Sequence, residues 1–282
     1  MLFGMVLLQP VTVQAEQQGK PDKDNAPKFE LLDGDRVLFL GNTLIEREQK
    51  YGYWETMLTA RYPDRNIIFR NLGWDGDTVW ADSRGLFDPP AKGYQRMLEH
   101  VGRIKPTVIF LGYGNNEAFA GKKGLPAFIK QYNTLIDDLK KVSAKKVRFV
   151  ILSPIRNENL GPPLPDPKEI NLKTKDYVMA ISTLAERRQF QFVDLFSTVV
   201  PDLPPARGYL GYIDLGSIDL YLTRDGTHLR HRGYKYSAKV IYSQLGLTTY
   251  TNLELNADGT VKEAKGLKVE NVKSTKKGLS FS

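Results

Sequence analysis

Five short apolar runs punctuate the chain: residues 37–40 (VLFL), 67–71 (IIFRN), 107–111 (TVIFL), 147–152 (VRFVIL) and 192–195 (FVDL). Their apolar character is nearly continuous and does not alternate with polar positions, which suits strands buried on both faces. Between the runs the spacing becomes helical. Trp54, Met57 and Leu58 share one face, as do Tyr94, Met97, Leu98 and Val101. Pro126, a good first helical residue, is expected to open a helix with Phe128, Tyr132, Leu135, Ile136 and Leu139 on one side. Val178, Ile181 and Ala185 repeat the pattern, and so do Tyr234, Ala238 and Ile241. Strands alternating with helices predict βαβ units, a parallel sheet and a doubly wound α/β domain.

The segments around this rhythm set the expected organisation. MLFGMVLLQPVTVQAEQ has an apolar run through Leu8 and a small-residue stretch that fits cleavage after Ala15, so residues 1–15 read as a secretory signal and the protein as secreted or periplasmic. Residues 16–28, polar and proline-bearing, read as a linker, and ordered structure is expected from Phe29. The α/β domain is expected over 29–246. Within it, 157–167 (NENLGPPLPDP) is a proline-rich surface loop and 201–222 a long insertion; loops of this kind beside a site shape access to it. Past Leu247, Asp258-Gly259 between alternating runs reads as a hairpin. Residues 278–281 read as a further strand, making 247–282 a small C-terminal β extension. Beyond the N-terminal run, no stretch approaches the ~20 apolar residues of a membrane span.

Composition removes several classes of chemistry. With no cysteine there is no disulfide, thiolate nucleophile or thiolate metal site, and only His100, His228 and His231 could supply imidazole. Half of the net charge of +8 sits in the tail from Val261, where six lysines face Glu263 and Glu270. Elsewhere acids and bases interleave, and no basic run is studded with stacking aromatics, so nucleic acid is excluded as the expected partner.

In an open parallel sheet, ligands bind at the carboxyl ends of the strands. The unusual polar and glycine residues fall there. Gly41-Asn42-Thr43-Leu44 follows the first run, Asn71 to Thr78 (NLGWDGDT) the second, and Gly112 to Glu117 (GYGNNE) the third. Asp225-Gly226-Thr227-His228 precedes the last helix. Taken singly, Gly-Asn-Thr and Asp-Gly are ordinary turns, His231 faces solvent at a helix start, and His100 serves a helix end. Trp74, Trp80, Tyr113 and Phe119 are equally core residues or stacking surfaces near the rim. Asn157, Glu158 and Asn159 are candidate substrate contacts.

Together and in this order, the four stretches resemble blocks I, II, III and V of the SGNH hydrolases, the GDSL lipase/esterase superfamily. The matching positions are Gly41 and Leu44; Asn71, Gly76 and Thr78; Gly114 and Asn116; and Asp225 and His228. The resemblance spans roughly residues 35–245 and implies a three-layer, flavodoxin-like fold and an acyl-ester hydrolase. It implies His228 as general base, Asp225 as the group that orients the imidazole, and Gly76 N–H with the Asn116 amide as oxyanion donors. It also implies no cofactor and no metal, although Asp75, Asp77 and Glu117 could on composition alone hold a cation. The expected partner is a small-molecule or polysaccharide ester, with O-acetylated carbohydrate preferred.

Three positions depart from the family blocks: Asn42 stands for Asp, Thr43 for the nucleophilic Ser, and Glu117 for Asp. Threonine keeps a hydroxyl that a base can activate, but its extra methyl stiffens the side chain and crowds the carbonyl to be attacked. Three readings follow: Thr43 is a slow nucleophile, His228 and Asp225 activate water, or the pocket binds an ester or carbohydrate without turnover.

Overall fold

The structure, a computed structural model, describes residues 29–86, 88–201 and 221–247, with four short strands beyond them. The expected signal, the linker, most of the 201–222 insertion and the Asp258-Gly259 turn lie outside the described residues.

Each of the five apolar runs forms a strand: β1 (Arg36–Gly41), β2 (Ile68–Asn71), β3 (Val108–Gly112), β4 (Arg148–Leu152) and β5 (Gln191–Val193). All pair in parallel, in the order β2-β1-β3-β4-β5. The connecting helices are α1 (Thr43–Glu48), α2 (Tyr53–Arg61), α3 (Pro90–Ile104), α4 (Gly121–Val142), α5 (Lys168–Arg187) and α6 (His231–Gln244). This is the flavodoxin-like doubly wound order, in which the strand sequence reverses between β1 and β3 and a crevice opens.

Successive residues of one strand serve two cores. Val37 and Phe39 of β1, with Val108 and Phe110 of β3, pack with Trp54 of α2 and Tyr234 and Ile241 of α6. Leu38, Leu40, Ile109 and Leu111 face the other way, onto Met97 and Val101 of α3 and Leu135 and Ile136 of α4. Both faces are therefore covered, which explains why the strands show no polar alternation.

The helix expected to open at Pro126 opens earlier, at Gly121, with the proline inside it. A proline there removes the hydrogen bond to the Lys122 carbonyl. Lys122 and Pro126 are both exposed, so water can satisfy that carbonyl and the break is tolerated. In the C-terminal segment β6 (Asn252–Leu255) pairs antiparallel with β7 (Val261–Lys265), and β8 (Lys273–Thr275) with β9 (Gly278–Ser280).

Candidate active site

The crevice opens where Gly41 and Gly112 end β1 and β3 as register partners. Immediately after Gly41, the Asn42 side chain accepts the Leu44 N–H at 3.1 Å and caps α1, while its own N–H donates to the Gly112 carbonyl at 3.1 Å. An amide oxygen caps as well as a carboxylate does, so the exchange of Asp for Asn at this position keeps the turn. Thr43 is thereby fixed as the first residue of α1, and its hydroxyl accepts the N–H of Gly76 at 2.9 Å. Gly76 has φ of +70°, a backbone conformation that glycine adopts without the steric cost of a Cβ.

The Gly76 loop is braced from several sides. Asn71 donates to the Ile45 carbonyl at 2.7 Å and accepts Gly73 N–H at 2.8 Å, tying the end of β2 to α1. Fully buried Asp77 pairs with Arg84 at 2.6 Å, and Arg84 also donates to the Leu72 carbonyl. Asn116 donates its amide to the Asp77 carbonyl at 2.9 Å. Glu117 uses both carboxylate oxygens on backbone N–H groups, those of Val79 and Gly114, each at 2.9 Å. Burial pushes its carboxyl up to about 7, against the lowering effect of those donors. Asp77 and Glu117 are thus committed to Arg84 and to backbone, and exposed Asp75 stands 3.8 Å from Arg47. They serve the loops.

The third component is the turn before α6. His228 Nδ1 lies 2.8 Å from Asp225 Oδ2, and Asp225 Oδ1 accepts the N–H groups of His228 and Thr227 at 2.9 and 3.2 Å. Desolvation of Asp225 would raise its carboxyl, but the His228 ring and these N–H donors outweigh it and bring it down to about 2. An ionised carboxylate can only accept, so the proton sits on Nδ1 and the Nε2 lone pair is left to act as a base. The turn closes through Arg224 N–H to the His228 carbonyl and Arg230 N–H to the Leu222 carbonyl, both 2.8 Å. Gly226, with φ of +88°, makes the sharp reversal possible.

These loops enclose a cavity of about 70 Å³ whose walls include Thr43, Asn116, Ser153, His228 and Tyr234. Three of the expected site residues, Thr43, Asn116 and His228, therefore meet in one space, with Asp225 behind His228 and the Gly76 N–H on the Thr43 hydroxyl. Among the described residues no hydrogen bond joins Thr43 to His228; the hydroxyl is held by Gly76 instead. Asn157, Glu158 and Asn159 stand outside this cavity, Asn157 and Asn159 lining a neighbouring polar cleft of about 400 Å³. Tyr113 belongs to the core although its edge reaches the cavity, whereas Trp74 and Phe119 are exposed, the latter by 70%.

His231 is exposed at the start of α6 and pairs with the Tyr53 hydroxyl, and His100 is exposed on α3. Two wall residues escaped sequence reasoning. Ser153 follows the β4 run, and its hydroxyl accepts from Leu195 and Phe196 N–H. Tyr234 reads as core by its helical spacing, and it also donates to the Leu44 carbonyl at 2.9 Å. A serine directly after an apolar strand was the one available signal, since that is the ligand-binding edge of such a sheet.

A parallel sheet of this order, with four loops meeting in a cavity at its carboxyl edge, defines the three-layer α/β fold of the SGNH hydrolases. The chain belongs to the GDSL-like Lipase/Acylhydrolase family, whose model matches residues 39–236. Among solved structures, a gut microbial diltiazem-metabolizing enzyme is similar at 19% identity and a TM-score of 0.63. The match covers 89% of this chain and 56% of that one, so the chain spans little more than half of that enzyme's length. A variant of the acetyl xylan esterase from Geobacillus stearothermophilus is similar at 18% identity and a TM-score of 0.56, over 79% of this chain and 99% of that one. A putative GDSL-like lipase from Parabacteroides merdae gives 16% identity and a TM-score of 0.59, over 79% and 100%. At these identities the likeness establishes the fold. A search among curated proteins finds no significant match.

Proposed function

We propose that the protein hydrolyses carboxylic esters of short acyl groups, with O-acetyl groups on carbohydrate as the preferred substrate. The observation that carries this reading is the meeting of the Thr43 hydroxyl, the Asn116 amide and the Asp225-backed His228 around one cavity. In the proposed reaction Thr43 Oγ1 attacks the ester carbonyl while His228 Nε2 takes its proton. The imidazolium, stabilised by Asp225, returns that proton to the departing alcohol, leaving an acyl-Thr43 ester. Water then attacks the acyl group through the same base, releasing the carboxylic acid and restoring Thr43. Gly76 N–H and the Asn116 amide would stabilise the oxyanion, donors of this type being worth about 3 to 4 kcal/mol each.

The cavity volume argues for a small acyl group. The space shared by Thr43, Asn116 and His228 is narrow, about 70 Å³, so an acetyl group suits it better than a long chain. An acetyl xylan esterase shares the fold, which is consistent with this substrate class. Export, read from residues 1–15, would place the enzyme where polysaccharide is met. N-terminal sequencing of the secreted protein should then begin at Glu16.

A second reading, binding without turnover, draws on the Thr43 hydroxyl resting against Gly76 N–H and not against His228. Kinetics separate the two. On p-nitrophenyl acetate, turnover that is lost in His228→Ala supports hydrolysis, whereas a silent wild type that still binds acetylated oligosaccharide supports the binding reading.

A further inference from the structure

Glu158 lies outside the cavity of the reacting groups, in the wall of a separate cleft that it shares with Leu222, Arg232 and Lys239. Its carboxylate is turned onto the loop that carries the His–Asp pair. Oε1 accepts Leu222 N–H at 3.1 Å, and Oε2 accepts both the N–H of Thr223, at 2.7 Å, and the Thr223 hydroxyl. The Glu158 N–H donates to the Gly226 carbonyl at 2.7 Å, and the neighbouring Asn157 side chain accepts the Thr227 hydroxyl at 2.9 Å. Two adjacent residues thus grip the loop at positions 222, 223, 226 and 227, on both sides of Asp225.

That loop has no helix or strand ladder of its own beyond one isolated bridge between Thr223 and Leu229. Asp225 and His228 are three residues apart within it, so the distance between the carboxylate and Nδ1 is set by the loop's conformation. A carboxylate has acceptor positions enough for all three donors, and charge-assisted bonds of this kind are among the strongest available for holding such a turn. We propose that Glu158 is the positioning residue of the His228–Asp225 pair. It fixes the turn from outside the cavity and holds the His228 ring against the Asp225 carboxylate. Asn157 and Glu158, expected from sequence as substrate contacts, are reassigned to this role.

The kinetic arm of the test rests on the hydrolase reading, and a spectroscopic arm does not. The chain has only three histidines, so ¹⁵N-labelled ring spectra can be assigned with His100 and His231 as internal controls. In Glu158→Ala the slowly exchanging Nδ1–H signal of His228 is expected to broaden or vanish while the other two rings are unchanged. With p-nitrophenyl acetate, kcat is expected to fall about 10- to 100-fold with KM within about twofold, the pattern of a lost transition-state interaction. Glu158→Ala combined with His228→Ala should be no slower than His228→Ala alone, because groups acting as a unit are not additive. Should Glu158→Ala fail to fold, all three rings would shift. Glu158→Gln, which keeps the side chain's size but replaces one carboxylate oxygen with an amide donor facing the N–H groups of Leu222 and Thr223, then carries the same measurements. An unchanged His228 signal in the folded variant, or a fully additive loss in the double variant, overturns the proposal. A wild type without esterase activity would remove the hydrolase reading but leave the spectroscopic arm to decide this one.

Discussion

The Thr43 hydroxyl accepts the Gly76 N–H at 2.9 Å, so at rest the proposed nucleophile occupies one of the proposed oxyanion donors. In the proposed reaction the oxygen must leave Gly76 N–H by rotation about the threonine χ1. A β-branched side chain is stiff about that bond. Thr43→Ser is therefore expected to raise kcat on p-nitrophenyl acetate by about tenfold or more, a change of roughly 1.4 kcal/mol in the barrier. An unchanged or lower kcat would show that the methyl group does not limit the step. Glu117 makes a second prediction at this scale. Its carboxyl, ordinarily near 4.5, is pushed up to about 7 by burial, so the folded state favours the protonated form. The stability this contributes is complete below the unfolded value and is lost as pH rises toward 7, on the order of 3 kcal/mol for a shift of this size. Glu48, likewise pushed up to about 7 by burial, adds to the same trend. Urea midpoints should fall between pH 5 and pH 8. In Glu117→Gln, which loses one backbone bond but cannot ionise, they should start lower and fall less; an equally steep fall would contradict the assignment.

Single elements hold these groups in place, and two can be tested directly. Asn42→Ala removes the cap of α1, expected to cost about 1 kcal/mol, and loosens the residue next to Thr43. Both a lower melting temperature and a lower kcat should result, and an effect on stability alone would separate the cap from the chemistry. Gly226→Ala puts a Cβ at φ of +88°, 3.1 Å from the Glu158 carbonyl, and should cost about 1–2 kcal/mol with loss of activity. Such elements differed in how visible they were beforehand. The strands were legible because burial on both faces leaves continuous apolar runs, which stand apart from any helical period. The start of α4 was not, since Pro126 is a good first residue and nothing local says that its lost bond falls on the solvent side. The grip of Glu158 on Thr223 was invisible for a different reason: the pair is 65 residues apart, and only the folded topology brings it together.

The whole molecule places four separate loops at the point where the strand order reverses, and in the proposed reaction the small cavity there selects the acyl group. If about 70 Å³ sets the acyl size, kcat/KM should fall at least about tenfold from acetate to octanoate, the scale of cost for overfilling a packed site. A rise with chain length would point to a different acyl site. The α/β class could be read from the apolar runs, and the family, with Thr43, Asn116 and His228, from four spaced motifs, each weak alone. The contact of Thr43 with Gly76 and the cavity volume could not, because both depend on side-chain placement at the sub-ångström level. The most direct test of the account is hydrolysis of p-nitrophenyl acetate by the wild type beside Thr43→Ala and His228→Ala. The account predicts measurable turnover in the wild type that falls by several orders of magnitude in both variants. Turnover that survives Thr43→Ala would contradict it and leave water, activated by His228 and Asp225, as the attacking group.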